Sequence, residues 1–145
     1  MSLFKYGVFK GAGGISLDFK INCDYLSTQD WNCIARVAVE QRLIPNFGKV
    51  IGVPRGGIAL ATAFEPYLHP NSNVTLVVDD VWTTGTSMLR VVHDHGLPYS
   101  ANRHACFVAF MRSIDPLVDC AYFMKCSPLI TRMVAHRGIE PLLSG

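Results

Sequence analysis

Two adjacent carboxylates, Asp79 and Asp80, are followed within a few residues by Thr83, Thr84, Gly85, Thr86 and Ser87. Bare carboxylates repel phosphate, so their natural partners are sugar hydroxyls, which donate hydrogen bonds, and a divalent cation, which neutralises phosphate charge. The hydroxylated residues offer the complementary half: side-chain O–H groups, free backbone N–H groups around a conformationally permissive glycine, and the positive end of a following helix. Together they ask for a sugar phosphate. A second cluster, Pro54-Arg55-Gly56-Gly57, joins a cation to a glycine-rich turn at a helix start and offers another anion site. Each cluster alone also reads as an acidic strand end, a capped helix or a packing turn. Two anion sites in one chain suit a ligand with phosphate at both ends.

The flanking residues predict what must position these groups. Residues 74–78 form a short β-branched run, the pattern of a strand buried on both faces of a parallel sheet. Asp79 and Asp80 then fall at its carboxyl end, where open α/β sheets place their ligand crevices. Residues 50–53 read as a second such strand, running into Pro54 and then an Ala-rich helix to about Phe64; residues 105–111 read as a third, and 121–124 as a last. Ser27 with Asp30 matches a capping box, and Trp31, Ile34, Ala35 and Ala38 repeat at helical spacing, so a helix is expected to pack a core face and end near Leu43. Met88, Leu89, Val91, Val92 and His95 give the helix after Ser87 an apolar side, stopped by Gly96 and Pro98. His93 and His95, two apart, fall on different faces, which disfavours a shared metal. At the N-terminus, glycines at 11, 13 and 14 precede an alternation that puts Phe19, Ile21 and Cys23 on one face of a half-exposed strand. These glycines fail dinucleotide-binding spacing, because Ser16 stands at the third required position.

The run from Val77 to Ser87 resembles the ribose-5-phosphate loop of type I phosphoribosyltransferases, which bind phosphoribosyl pyrophosphate, and Pro54–Gly57 resembles their pyrophosphate loop. The resemblance covers most of residues 9–115 and implies an α/β fold with a mainly parallel central sheet flanked by helices and a small N-terminal hood. It implies a single domain over 1–145, with the hood at about 1–26, the core at about 27–126 and a tail at about 127–145. It further implies that Asp79 and Asp80 hold the ribose, that Thr83, Thr84, Gly85, Thr86 and Ser87 hold the 5-phosphate, and that Pro54, Arg55, Gly56 and Gly57 hold pyrophosphate. Asp79, Asp80 and Arg55 become the catalytic candidates. Mg²⁺ is expected near the two aspartates, held mainly through the ligand, and a cis non-proline peptide is expected within residues 55–57. The hood is similar to that of orotate phosphoribosyltransferases, with Lys10, Ser16 and Phe19 matching and one extra residue between Lys and Ser. Lys10, Phe19 and Arg112 are the implied base-binding residues, two cations suiting an anionic pyrimidine, although Met111 stands where the family has Asp. The family's mobile lid and one strand are missing between Ile58 and Asn73, and there is no lysine between Lys49 and Lys125.

Half of the residues are hydrophobic, 17% are charged and the net charge is +2, which describes a compact domain and gives no basic stripe for nucleic acid. No segment has the length and apolarity of a membrane span, and the reading is a soluble cytoplasmic protein. The five cysteines form no CxxC pair, against a disulfide framework or zinc site. The expected activity is Mg²⁺-dependent transfer of phosphoribosyl to a nucleobase, orotate first, by a homodimer. The rival is a protein that binds phosphoribosyl pyrophosphate or nucleotide without turnover, which the missing lid favours. A phosphatase or ATPase is weaker, the latter lacking a Gly-x4-Gly-Lys-Ser/Thr loop.

Overall fold

The computed structural model describes residues 3–10, 16–96, 103–112 and 118–123. Strands β1 (Phe4–Lys10) and β2 (Ser16–Ile21) form an antiparallel hairpin. Helix α1 (Thr28–Glu40) follows, then β3 (Lys49–Gly52), α2 (Ile58–Phe64), β4 (Thr75–Trp82), α3 (Thr86–Asp94), β5 (His104–Met111) and β6 (Val118–Phe123). Strands β3 to β6 make one parallel sheet in sequence order. This is the expected α/β architecture.

Alternation along the central strands divides the core between two faces. Leu76 and Val78 of β4 and Phe107 and Ala109 of β5 pack with Trp31, Ile34, Ala35 and Ala38 of α1 and Leu60, Ala63 and Phe64 of α2. Val77, Cys106 and Val108 pack on the other face with Met88, Val91 and Val92 of α3. Phe64 is the hub of the first face, edge-on to Phe47 at 5.7 Å and to Phe107 at 5.5 Å between centroids.

Local signals explain most boundaries. Ser27 Oγ accepts from the Asp30 N–H at 3.1 Å while Asp30 Oδ2 accepts from the Ser27 N–H at 2.8 Å, the expected capping box. Helix α1 ends at Glu40, three residues earlier than Leu43, because Arg42 takes a left-handed conformation (φ 54°) and turns the chain. Leu89 is 45% exposed and outside the apolar side of α3. His95 caps α3 instead, its Nδ1 lying 3.0 Å from the Val91 carbonyl. Cys23 belongs to a 3-10 turn (Cys23–Tyr25) after β2, and Ile21 and Cys23 anchor the hairpin in the core. The glycine-rich turn at 11–15, Pro98 and the tail at 127–145 lie outside the described residues.

Candidate phosphoribosyl site

Neighbouring parallel strands whose following helices leave on opposite faces open a crevice between their carboxyl ends. In this chain those strands are β3 and β4, since α2 covers one face and α3 the other. The residues leaving them are Pro54–Gly57 and Thr83–Ser87.

Glycine at 56 brings the two clusters together. A Cβ there would overlap the Asp80 carboxyl group, so the backbone of the loop after β3 lies directly against the acid on β4. Gly57 is equally required, its Cα facing the Val53 and Val78 backbone. The Gly57 N–H donates to the Val53 carbonyl at 2.8 Å and the Ile58 N–H to the Arg55 carbonyl at 3.2 Å. These two amides are consumed by the turn. Those of Arg55 and Gly56 carry no internal bond among the described residues and remain for a ligand, with the Arg55 side chain exposed. The cis peptide joins Pro54 to Arg55, one bond before the expected 55–57 range.

Strand β4 continues through the acid pair to Trp82 rather than ending there. Asp80 follows the alternation of Leu76 and Val78 toward the α1/α2 face, and Asp79 that of Val77 toward the α3 face. The Asp80 N–H donates to Asp79 Oδ1 at 2.8 Å and the Val81 N–H to Asp80 Oδ1 at 2.7 Å. Asp79 is 8% exposed. Burial, reinforced by hydrogen bonding to the Asp80 side chain and by its charge, pushes the Asp79 carboxyl up to about 8.

The turn into α3 is built on Gly85, whose φ is +82° and whose Cα rests on the Trp82 indole, so any side chain there would strike the ring. Gly85 caps α3 without a side-chain hydrogen bond, which leaves the first-turn N–H groups aimed out of the helix. Thr84 Oγ1 and Thr86 Oγ1 lie 2.9 Å apart at the same rim. The Arg112 N–H donates to the Trp82 carbonyl at 2.9 Å, which sets Arg112 beside the turn; that residue is 4% exposed, a buried cation rather than a surface one.

Thus the acid pair, Arg55–Gly57, Thr83–Ser87 and Arg112 converge on one end of the sheet. Lys10 and Phe19 occupy β1 and β2, paired with Ser16 and Tyr6 respectively, and their side chains lie outside the described residues. Sequence reasoning missed two participants. One is Trp82, the platform under Gly85, visible in principle from its spacing of three residues. The other is Cys23, whose thiol is pushed up to about 12 by burial and by the charges of Asp80, Asp24 and Asp79, with a hydrogen bond to Asp80 adding to the effect. No sequence signal marks that contact, because a hood turn makes it with a central strand.

No family model matches the chain, and no curated protein matches it in sequence. Solved structures do match, and they define its fold as that of the type I phosphoribosyltransferases. Orotate phosphoribosyltransferase from Aeropyrum pernix superposes with a TM-score of 0.64 at 16% identity, over 92% of this chain and 93% of its own. The orotate phosphoribosyltransferase of Mycobacterium tuberculosis H37Rv gives 0.58 at 16% identity, over 83% and 89%. The purine phosphoribosyltransferase of Pyrococcus horikoshii gives 0.51 at 17% identity, over 70% and 87%. No helix among the described residues is long and apolar enough to cross a membrane.

Proposed function

We propose that the protein transfers the 5-phosphoribosyl group of phosphoribosyl pyrophosphate to a nucleobase, with orotate as the leading acceptor. The observation that carries this reading is the contact of Gly56 with Asp80, which joins both anion loops at one pair of carboxylates. The first-turn N–H groups of α3 and the hydroxyls of Thr83, Thr84, Thr86 and Ser87 hold the 5-phosphate. Asp80 and Asp79 accept hydrogen bonds from ribose hydroxyls, and Pro54 to Gly57, with the Arg55 guanidinium, receive pyrophosphate.

In the reaction the C1–oxygen bond to pyrophosphate breaks, its electron pair leaves with pyrophosphate, and a base nitrogen bonds to C1 while losing its proton. The oxocarbenium-like ribose is stabilised by the neighbouring Asp80 carboxylate, and Arg55 neutralises charge on the leaving group. Arg112 and Lys10 pair with an anionic base, with Phe19 beside it.

Two adjacent carboxylates fit Mg²⁺, which keeps waters and is bound through one or two carboxylates plus substrate phosphates. Among the described residues no group of three or more His, Cys, Asp or Glu forms a protein-only metal cage. When bound, the ion would neutralise pyrophosphate charge.

A second reading, binding without turnover, draws on one observation: residues 65–74 join α2 to β4 through a short 3-10 turn, with no lid. Incubation with donor, Mg²⁺ and a panel of bases decides between the two. Nucleotide and pyrophosphate formation supports transfer, whereas calorimetric donor binding without product supports the second reading. Asp80→Asn and Thr84→Val should each weaken donor binding about tenfold or more, as expected for loss of a hydrogen bond to a charged group. Undiminished affinity in both variants would refute both readings.

A further inference from the structure

At the opposite end of the sheet, the segments entering β3 and β4 line a half-open cavity of about 530 Å³. Its walls are stapled together. The His69 N–H donates to the Phe47 carbonyl at 2.8 Å, Ser72 Oγ to the Asn46 carbonyl at 3.0 Å, and Gly48 lies against the His69 and Ser72 carbonyls so closely that a Cβ would clash. Ile44 and Phe47 supply a buried apolar floor, and Tyr67 and Val39 extend it. Arg42, Asn46 and His69 supply the polar groups. No carboxylate lines the cavity among the described residues, and Glu40, two residues before Arg42, is held by Arg36 at 2.8 Å.

Arg42 is the telling residue. The Leu43 N–H donates to the Ala38 carbonyl at 2.9 Å and the Arg42 N–H to the Val39 carbonyl at 3.2 Å, the two bonds of a Schellman helix end. In that motif Arg42 fills the left-handed position, which glycine adopts without steric cost and a side chain does not. Helix termination therefore does not account for arginine there.

We infer that this cavity is a second ligand site, separate from the phosphoribosyl crevice, for a small organic anion: one carboxylate or phosphate on an apolar or aromatic body. The guanidinium fork pairs with the anion in two-pronged fashion, His69 and Asn46 add donors, and the body lies against Ile44, Phe47 and Tyr67. The inference does not depend on the proposed transferase activity.

Amide chemical shifts of the full chain, titrated separately with inorganic phosphate, benzoate and uridine 5′-monophosphate, test it. Saturable shifts are expected at Asn46, Phe47 and His69 with benzoate or the nucleotide, and weaker ones with phosphate alone. Which organic probe binds more tightly separates carboxylate from phosphate recognition. Arg42→Gly should weaken binding about tenfold or more while the thermal midpoint stays level or rises; His69→Ala should weaken it less, and Asp80→Asn should leave it unchanged. Absence of shifts at those amides with every probe up to about 10 mM, a concentration that reveals even weak sites, would overturn the inference. So would undiminished binding in Arg42→Gly, or inorganic phosphate binding as tightly as the organic anions.

Discussion

Asp79 and Asp80 are neighbours in the chain with different surroundings. Asp80 reaches the loop after β3 and the Cys23 thiol, while Asp79 is buried toward α3 and keeps its proton up to about pH 8. An unfolded aspartate loses its proton near pH 4. Between those values the folded chain holds a proton that the unfolded chain has released, so the stabilisation is fully present below about pH 4 and is lost as pH rises through about 8. Urea midpoints measured from pH 5 to 8 should therefore fall with rising pH, by at most about 1.4 kcal/mol per unit from this group. Asp79→Asn removes the titration and should flatten that slope; an unchanged slope in the variant would assign the pH dependence elsewhere.

At the scale of elements, β3-α2-β4 and β4-α3-β5 step the same way across the sheet but cross on opposite faces, so the two crossovers are of opposite hand. One of the two must be left-handed, an arrangement that strand twist disfavours. Its functional effect is to open the crevice between β3 and β4. The turn that closes the crevice depends on Gly85, because both its left-handed backbone and the Trp82 ring beneath it exclude a side chain. Gly85→Ala should lower stability by about 2 kcal/mol and weaken donor binding, read from the thermal midpoint and from calorimetry; Ser87→Ala, which leaves the backbone alone, should lower stability far less. The residues at this turn were legible in the sequence because strand, loop and helix start are contiguous there, and each has a local signature. The same holds for the capping box at Ser27 and the core face of α1. Strand β1 was not legible: its register shifts between Tyr6 and Phe9, which interrupts the alternation that would mark it. The Asp80 contacts with Gly56 and Cys23 and the opposed crossovers arise only when distant segments pack, so no local pattern announces them.

The whole molecule joins a candidate binding crevice to a short connection, residues 65–74, the segment where the resemblance leads one to expect a lid. Water competes with the base for the ribose C1 once pyrophosphate departs, and a lid is one means of excluding it. We expect the isolated chain, if it turns over, to divide donor between transfer and hydrolysis more evenly than a lidded enzyme does. Simultaneous measurement of ribose 5-phosphate and nucleotide checks this; pure transfer with no hydrolysis would show that the crevice is covered by other means. A second copy of the chain is the natural cover under the homodimer expectation. In that case the ratio of nucleotide to ribose 5-phosphate should rise with protein concentration, in step with the dimer fraction from sedimentation. A ratio that stays constant across the monomer–dimer transition would place water exclusion within one chain.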